Sequence, residues 1–171
     1  DKNLANAGIV ERVIAATGEK ANDTCVFQES EAEPSLEVAM KAFQVAEEFK
    51  PDTVIGLGGG SNMDLAKMTA LLLAHGGAPE DYFGFDQIPG PVTPLVCIPT
   101  TSGTGSEVSH AAVLTDTESG LKVSTLSRHL RPSLAIVDPE LTVTCPRHVT
   151  AESGMDALTH AIEAFTARHP T

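Results

Sequence analysis

Apolar side chains at helical spacing predict three helices in the first half of the chain. The first lies at residues 9–14 and is followed by Gly18, a residue type that often ends a helix. The second covers residues 34–49, where the apolar stripe is broad enough for a helix that packs on a sheet. The third runs from about residue 61 to residue 75 and ends at Gly76.

Short apolar runs between these helices predict β-strands. They occupy residues 24–27, 53–57, 95–98 and 134–137. Residues 111–114 and 121–124 predict a hairpin, and residues 78–94, rich in Pro and Gly, predict a loop. Because strands alternate with helices, we expect an α/β fold with a mostly parallel sheet and helices on both faces. Ligands of such sheets bind at the carboxyl ends of the strands.

The pattern changes near residue 150, after which it is helical almost to the last residue. This helix is expected to begin at about Thr150 or Ser153. We therefore divide the chain into an α/β domain, residues 1–149, and the start of a helical domain, residues 150–171. The chain opens abruptly at Asp1 and stops within the helical pattern, so we expect it to be a piece of a longer protein.

The charge of the chain excludes two classes of partner. The 171 residues include 11 Lys and Arg against 23 Asp and Glu, which gives a net charge of −12. Nucleic acids and anionic membranes need a concentrated basic face, so we expect neither partner. No apolar run approaches the roughly 18 residues that a membrane span needs, and a soluble protein is expected.

The three cysteines are odd in number and far apart in the sequence. Cys25 and Cys97 lie inside strand-like apolar runs, and Cys145 stands alone. This arrangement favours buried free thiols in a reducing compartment over a disulfide or a thiolate metal site. We therefore expect a cytoplasmic protein.

Residues 58–60 are three consecutive glycines between a predicted strand and a predicted helix. Their backbone can approach an anion closely. The helix that follows points its free N–H groups and the positive end of its dipole at that anion. A pyrophosphate fits such a turn, although the spacing is neither the usual dinucleotide fingerprint nor a Walker loop. The alternative is a tight turn closed by a Ser61-x-x-Asp64 capping box, which we expect in either case. Lys67 is expected to be solvated.

Residues 99–107 place five hydroxyl side chains and two glycines directly after a buried strand. Hydroxyl groups both donate and accept hydrogen bonds, so they can hold a phosphate, a ribose or a carboxamide without a fixed charge. The alternative is an ordinary hydroxyl-rich turn that satisfies its own backbone. The glycine turn at another strand end favours the ligand-binding interpretation.

Asp156 and His160 are one turn apart on the last predicted helix. A carboxylate and an imidazole at this spacing can bind one divalent cation. The alternative is a Ser153-x-x-Asp156 capping box, with His160 simply paired to the carboxylate. Two ligands do not close a metal site, so further ligands would have to come from outside this chain.

Together these segments resemble the iron-containing alcohol dehydrogenase family. The resemblance rests, in consistent order, on residues 1–4, 58–67, 99–108, 138–142 and 154–164. It implies an α/β dinucleotide-binding domain followed by an all-helical metal-binding domain, of which only the first helix would be present. It also implies reversible hydride transfer between an alcohol and NAD, with a divalent metal, iron rather than zinc, that lowers the pKa of the alcohol.

The resemblance also implies which residues form the site. Asp156 and His160 would be two of four metal ligands. Contacts with the cofactor are expected from Asp1, Gly59, Gly60, Ser61, Asp64, Thr100, Thr101, Thr104, Ser109 and Lys122. Asp1 would meet the adenosine ribose, where a carboxylate repels a 2′-phosphate and favours NAD over NADP. Asn62 and Glu33 depart from the family's usual residues.

Three other functions remain open for this sequence. A sugar-phosphate cyclase of the dehydroquinate-synthase kind, a lyase, shares the fold but should carry more basic residues. A glycerol-dehydrogenase-like relative would use zinc, and a nucleotide-binding module would have no activity. The resemblance implies a small alcohol or aldehyde as substrate and allows a homo-oligomer of the intact protein. The 171-residue piece alone is expected to be inactive, because two ligands bind a metal weakly.

Overall fold

The structure is a computed structural model that describes residues 1–18 and 23–168. Within these residues the α-helices are α1 (Lys2–Asn6), α2 (Ile9–Ala16), α3 (Leu36–Phe49), α4 (Gly60–His75) and α5 (Arg147–Thr166). The strands are β1 (Val54–Gly58), β2 (Gly84–Phe85), β3 (Leu95–Pro99), β4 (Ala111–Asp116), β5 (Leu121–Leu126) and β6 (Leu134–Ala135). Short 3-10 helices cover Pro79–Tyr82, Arg128–Leu130 and Pro139–Thr142.

Two three-stranded sheets organise the fold. The first is parallel, in the order β1-β3-β6, and its register sets Gly58 opposite Pro99. Strands β1 and β3 therefore end at the same level, which brings the segments that follow them side by side. The second sheet has the order β2-β5-β4, in which β4 and β5 form the predicted antiparallel hairpin. The α/β class with a parallel sheet is confirmed, whereas the second sheet was not predicted.

Alternate residues of β3 face opposite layers of the molecule. Leu95 and Cys97 pack in a cluster with Met63 of α4, whereas Ile98 packs with Ile9 of α2. This period-two alternation confirms helices on both faces of the parallel sheet. The far side of α4 is covered by α3 and β4, and together they form the largest core cluster. Helix α4 is therefore enclosed by protein on nearly every side.

The predicted strand at residues 24–27 is wrong. These residues belong to neither sheet, and Phe27 contacts the main core while the backbone stays outside the strand ladders. Cys25 is consequently exposed, not buried. Cys97 is buried as predicted, and burial raises the pKa of its thiol to about 11. Cys145 is half-buried. All three cysteines are free thiols, as expected from the sequence.

Three other boundaries differ from the prediction. The loop at residues 78–94 contains a 3-10 helix and the short strand β2, and β6 ends at Ala135. Helix α5 begins at Arg147, directly after Pro146. None of its residues, all of which the structure describes, is buried. In the described part of the chain, no helix has both the length and the apolar character that crossing a membrane requires.

The hairpin offers a matched test of the core. Leu114 of β4 is 1% exposed in the main cluster, and Leu121 of β5 is 64% exposed. We expect Leu114→Ala to lower the free energy of unfolding by about 2–5 kcal/mol, because it removes buried methyl groups and leaves a cavity. Leu121→Ala should change it by less than about 0.5 kcal/mol. Urea unfolding measures both, and equal losses would contradict this assignment of the core.

Candidate functional site

The glycine turn (residues 58–60) and the threonine-rich loop (residues 100–106) lie against each other. The backbone N–H of Thr100 donates to the carbonyl of Gly58 at 2.9 Å, which extends the pairing of β1 and β3. A Cβ atom on Gly60 would lie 2.9 Å from Cγ2 of Thr104. A larger residue at this position would require the Thr104 side chain or the start of α4 to shift. Both predicted binding segments therefore share one surface.

Among the residues that the structure describes, no side chain caps the start of α4. Its N-cap is Gly59, so the first N–H groups of the helix are left for a ligand. The predicted Ser61-x-x-Asp64 capping box is wrong, because both side chains have partners elsewhere. The hydroxyl of Ser61 donates to the carbonyl of Ala32. The uncapped helix end keeps the anion-binding character that the glycines predict.

Asp64 is bound to the protein through both carboxylate oxygens. Its Oδ1 accepts from the hydroxyl of Ser106 at 2.6 Å, and its Oδ2 accepts from the backbone N–H of Val113 at 3.0 Å. Oδ1 also lies 3.3 Å from Nζ of Lys67. The carboxylate thus joins α4 to the loop and to β4. A direct contact between Asp64 and a cofactor remains a prediction.

Lys67 is completely buried, so the expectation of a solvated side chain is wrong. Its side chain is 0% exposed, and Nζ lies 2.7 Å from Oγ of Ser106, 2.7 Å from the carbonyl oxygen of Ala111 and 3.0 Å from Oγ of Ser109. Burial lowers the pKa of Lys67, while the neighbouring Asp64 carboxylate opposes the shift. The physical reason for the burial is the position of α4 between the sheet, α3 and β4.

A cavity of about 450 Å³ opens at this surface. Its walls include eight of the predicted site residues, namely Gly60, Ser61, Asp64, Thr104, Ser109, Lys122, Asp156 and His160. Gly59, Thr100 and Thr101 lie beside it in the turn and the loop, and Thr100 is buried. Glu33 and Ser106 also line the cavity and were not predicted. Residues from five separate parts of the sequence therefore converge at the strand ends.

The Asp156 and His160 side chains are neighbours at this cavity. Nε2 of His160 lies 3.8 Å from Oδ1 of Asp156, and the side chains are 55% and 43% exposed. The alternative capping box is excluded, because Ser153 lies inside α5 and not at its start. An imidazole nitrogen and a carboxylate oxygen fit a divalent cation such as iron or zinc. Within the described residues, no group of three potential ligands is placed to complete the site.

The threonine-rich loop also contacts α5. A Cβ atom on Gly103 would lie 2.2 Å from the carbonyl oxygen of Ser153, a distance that no side chain tolerates. Ser153 lies one turn before Asp156 on the same helix. This backbone contact places the Asp156 and His160 pair beside the loop, and it depends on the absence of a side chain at residue 103.

Asp1 is linked to the glycine turn through Asn62. Its Oδ1 caps α1 by accepting from the N–H groups of Asn3 and Leu4, at 2.8 Å and 3.1 Å. Its Oδ2 accepts from Nδ2 of Asn62 at 3.2 Å, and the same amide donates to the carbonyl of Leu57 at 3.1 Å. Asp1 lies outside the cavity. The role of Asn62 was missed, although an amide in the first turn of a helix was a usable signal.

Lys122 pairs with Glu33 at the edge of the cavity. Its Nζ lies 2.7 Å from Oε1 of Glu33, and the two side chains are 60% and 63% exposed. Exposed pairs of this kind contribute little stability, so either partner can turn toward a ligand at small cost. The pair places one positive and one negative charge at the mouth of the cavity.

This arrangement is that of α/β proteins with a ligand site at the carboxyl ends of parallel strands, because strand ends, an uncapped helix and a hydroxyl-rich loop share one face. The particular family follows from comparison with known proteins. The family model described as iron-containing alcohol dehydrogenase matches residues 1–139, and the chain belongs to this family.

Individual relatives extend the match beyond those residues. The chain is 38% identical over 171 residues to the NAD-dependent methanol dehydrogenase of Bacillus methanolicus, covering 100% of this chain and 45% of that protein. This alignment includes Asp156 and His160. The crystal structure of an iron-containing alcohol dehydrogenase from Thermotoga maritima is 36% identical, with a TM-score of 0.88, over 98% of this chain and 46% of that one.

A second related structure was solved with NAD+ bound. It is sulfoacetaldehyde reductase from Bifidobacterium kashiwanohense in complex with NAD+, 34% identical with a TM-score of 0.83. The match covers 96% of this chain and 43% of that chain. This chain therefore spans less than half the length of the relatives that it resembles.

The two lysine–carboxylate pairs allow a matched test of burial. Lys67→Met leaves the Asp64 carboxylate buried without its cation, and we expect a loss of about 3–5 kcal/mol in unfolding free energy. Lys122→Met breaks an exposed pair and should cost less than about 1 kcal/mol. Urea unfolding of both variants measures the difference. Similar losses would show that Lys67 does not carry a buried charge.

Proposed function

We propose that the full-length protein is an oxidoreductase that uses NAD and a divalent metal to interconvert an alcohol and an aldehyde or ketone. The observation that carries the proposal is the position of the Asp156 and His160 pair on the same cavity as Gly60 and Thr104. An anion-binding helix start and a pair of metal donors thus face one space. Membership of the family supports the same reaction class.

NAD would lie across the strand ends. Its pyrophosphate would bind the uncapped start of α4 at Gly59, Gly60 and Ser61. The hydroxyl groups of Thr100, Thr101 and Thr104, with Ser109 and Lys122, would hold the nicotinamide half toward the metal donors. A related methanol dehydrogenase is named NAD-dependent, and a related reductase was solved with NAD+, which supports this assignment.

Asp156 and His160 would supply two ligands to the metal, for which the family name favours iron. A bound divalent cation supplies polarisation of the alcohol oxygen, which eases departure of a hydride toward NAD. The two side chains hold that position from one helix, so their spacing is set by the helix and not by a mobile loop. The remaining ligands would come from other parts of the full-length protein.

We also propose that residues 150–171 begin a helical metal-binding domain, separate from the α/β domain of residues 1–149. The apolar side chains of α5 support this division. Leu158, Ile162 and Phe165 are all exposed, although they form one stripe of the helix. Further helices of a longer protein would cover such a stripe.

The central experiment measures NAD binding and turnover in the full-length protein. Isothermal titration should show NAD binding, and alcohol oxidation followed by NADH absorbance should require the added metal. NAD binding without metal-dependent turnover would instead favour a nucleotide-binding module. Metal-dependent elimination from a phosphorylated sugar, without alcohol oxidation, would favour the cyclase-like lyase.

Replacement of one metal donor gives a direct test of the pair. Loss of a group that only hydrogen-bonds to a metal ligand weakens metal binding by about 10–100-fold. We expect a larger loss from His160→Ala, because it removes a ligand itself. His148→Ala is the matched control, because His148 lies exposed on the same helix and outside the cavity. Metal content after dialysis measures both variants. Retention of full metal content by His160→Ala would remove His160 from the site.

Asp1 should control the choice between NAD and NADP. Asp1→Asn keeps an oxygen that caps α1 but removes the charge that would repel a 2′-phosphate. We expect the ratio of the NADP and NAD dissociation constants to fall about tenfold, the effect of one charge near a protein surface. Glu48→Gln removes an exposed charge elsewhere and serves as the control. An unchanged ratio would place the adenosine ribose away from Asp1.

A further inference from the structure

The ammonium of Lys67 determines the direction of hydrogen bonds in the threonine-rich loop. An ammonium group has three N–H donors and no acceptor. Its three closest oxygens are Oγ of Ser106, the carbonyl of Ala111 and Oγ of Ser109, at 2.7 Å, 2.7 Å and 3.0 Å. Both serine hydroxyls must therefore accept from Lys67, and their own protons point elsewhere.

The two serines differ in where that proton goes. The hydroxyl of Ser106 donates to Oδ1 of Asp64 at 2.6 Å, so both of its roles are filled inside the protein. The hydroxyl of Ser109 has no acceptor among residues 1–18 and 23–168, and Ser109 lines the cavity. An oriented donor thus faces the space that also contains Lys122 and His160.

We propose that Lys67 is a positioning residue that fixes Ser109 as a hydrogen-bond donor to an oxygen of the nicotinamide half of the dinucleotide. The acceptor is either the carboxamide oxygen or a hydroxyl oxygen of the adjoining ribose. This inference rests on the proposed function, because it takes NAD to be the ligand. Lys67 itself does not reach the cavity, since its ammonium is enclosed by Ser106, Ser109 and Ala111.

The orientation has a chemical consequence. A serine hydroxyl in water rotates freely and offers a proton or a lone pair with equal ease. Donation from an ammonium occupies a lone pair of Ser109 and polarises its O–H bond, which strengthens the bond to an acceptor. Because the lysine is buried beside Ser109, the proton of this hydroxyl is directed away from Nζ before the ligand arrives. No rearrangement of Ser109 is then needed on binding.

Calorimetric titration of the full-length protein with NAD and with ADP-ribose, which lacks nicotinamide, tests the inference. Ser109→Ala should weaken NAD binding about tenfold, as expected for the loss of one well-placed hydrogen bond. A loss for NAD alone assigns the acceptor to the carboxamide, and an equal loss for both ligands assigns it to the ribose. Unchanged affinity for both ligands would overturn the inference.

A double-mutant cycle separates positioning from general structural support. Lys67→Met should weaken NAD binding in the wild-type background but add almost nothing when Ser109 is already alanine. Ser109→Thr, which keeps the hydroxyl, should restore most of the affinity. If Lys67→Met weakens binding by the same factor in both backgrounds, Lys67 acts only through stability and the inference is wrong.

Ser106 provides a control that does not depend on the folding of Lys67→Met. Ser106→Ala removes a second partner of Lys67 but no donor toward the cavity, so its loss of NAD affinity should be much smaller than that of Ser109→Ala. Equal losses would overturn the inference. A wild-type protein that does not bind NAD refutes the proposed function and this inference together, whereas a failed comparison in protein that binds NAD refutes the inference alone.

Discussion

The buried ammonium of Lys67 imposes the strongest constraint on this structure. Helix α4 lies between the parallel sheet on one side and α3 and β4 on the other, so a charge in its middle cannot reach water. An unpaired charge in such a place is very costly, and the protein must surround it with oxygen atoms. Those oxygens come from Asp64, Ser106, Ser109 and Ala111. The helix that carries the glycine turn is thereby locked to the loop that carries the hydroxyl groups.

Close approaches at two glycines continue this connection toward Asp156 and His160. Gly60 allows α4 to contact Thr104, and Gly103 allows the same loop to contact α5 at Ser153. A side chain at either glycine would push apart two elements that must stay together. The distance between the proposed dinucleotide site and the Asp156 and His160 pair therefore depends on these two close approaches. This explains how a half-exposed pair on an otherwise uncovered helix still faces the cavity.

The sequence predicted the parts of the fold that local patterns determine. Apolar runs located β1 and β3, and the glycines located the start of α4, because burial and turn geometry act within a few residues. Lys67 was misread, because its environment comes from residues 39 to 44 positions away. Apolar residues on every side of α4, including Met63, Met68 and Leu71, were the available signal. The Ser61-x-x-Asp64 pattern failed for the same reason, since Asp64 binds Ser106 and Val113.

The net charge of −12 does not oppose binding of an anionic dinucleotide, because the charges at the cavity are locally paired. Asp64 is paired with Lys67, and Glu33 is paired with Lys122. Charges farther away than about 8 Å are largely screened in physiological salt, so the acidic excess elsewhere has little effect on this surface. The nearby field is then set by the uncapped start of α4, which favours phosphate. Within residues 1–18 and 23–168, His160 is the one basic side chain within 4 Å of the Asp156 carboxylate, and a carboxylate in that position favours a cation. These local charges agree with the proposed binding of a phosphate at one side of the cavity and a metal ion at the other.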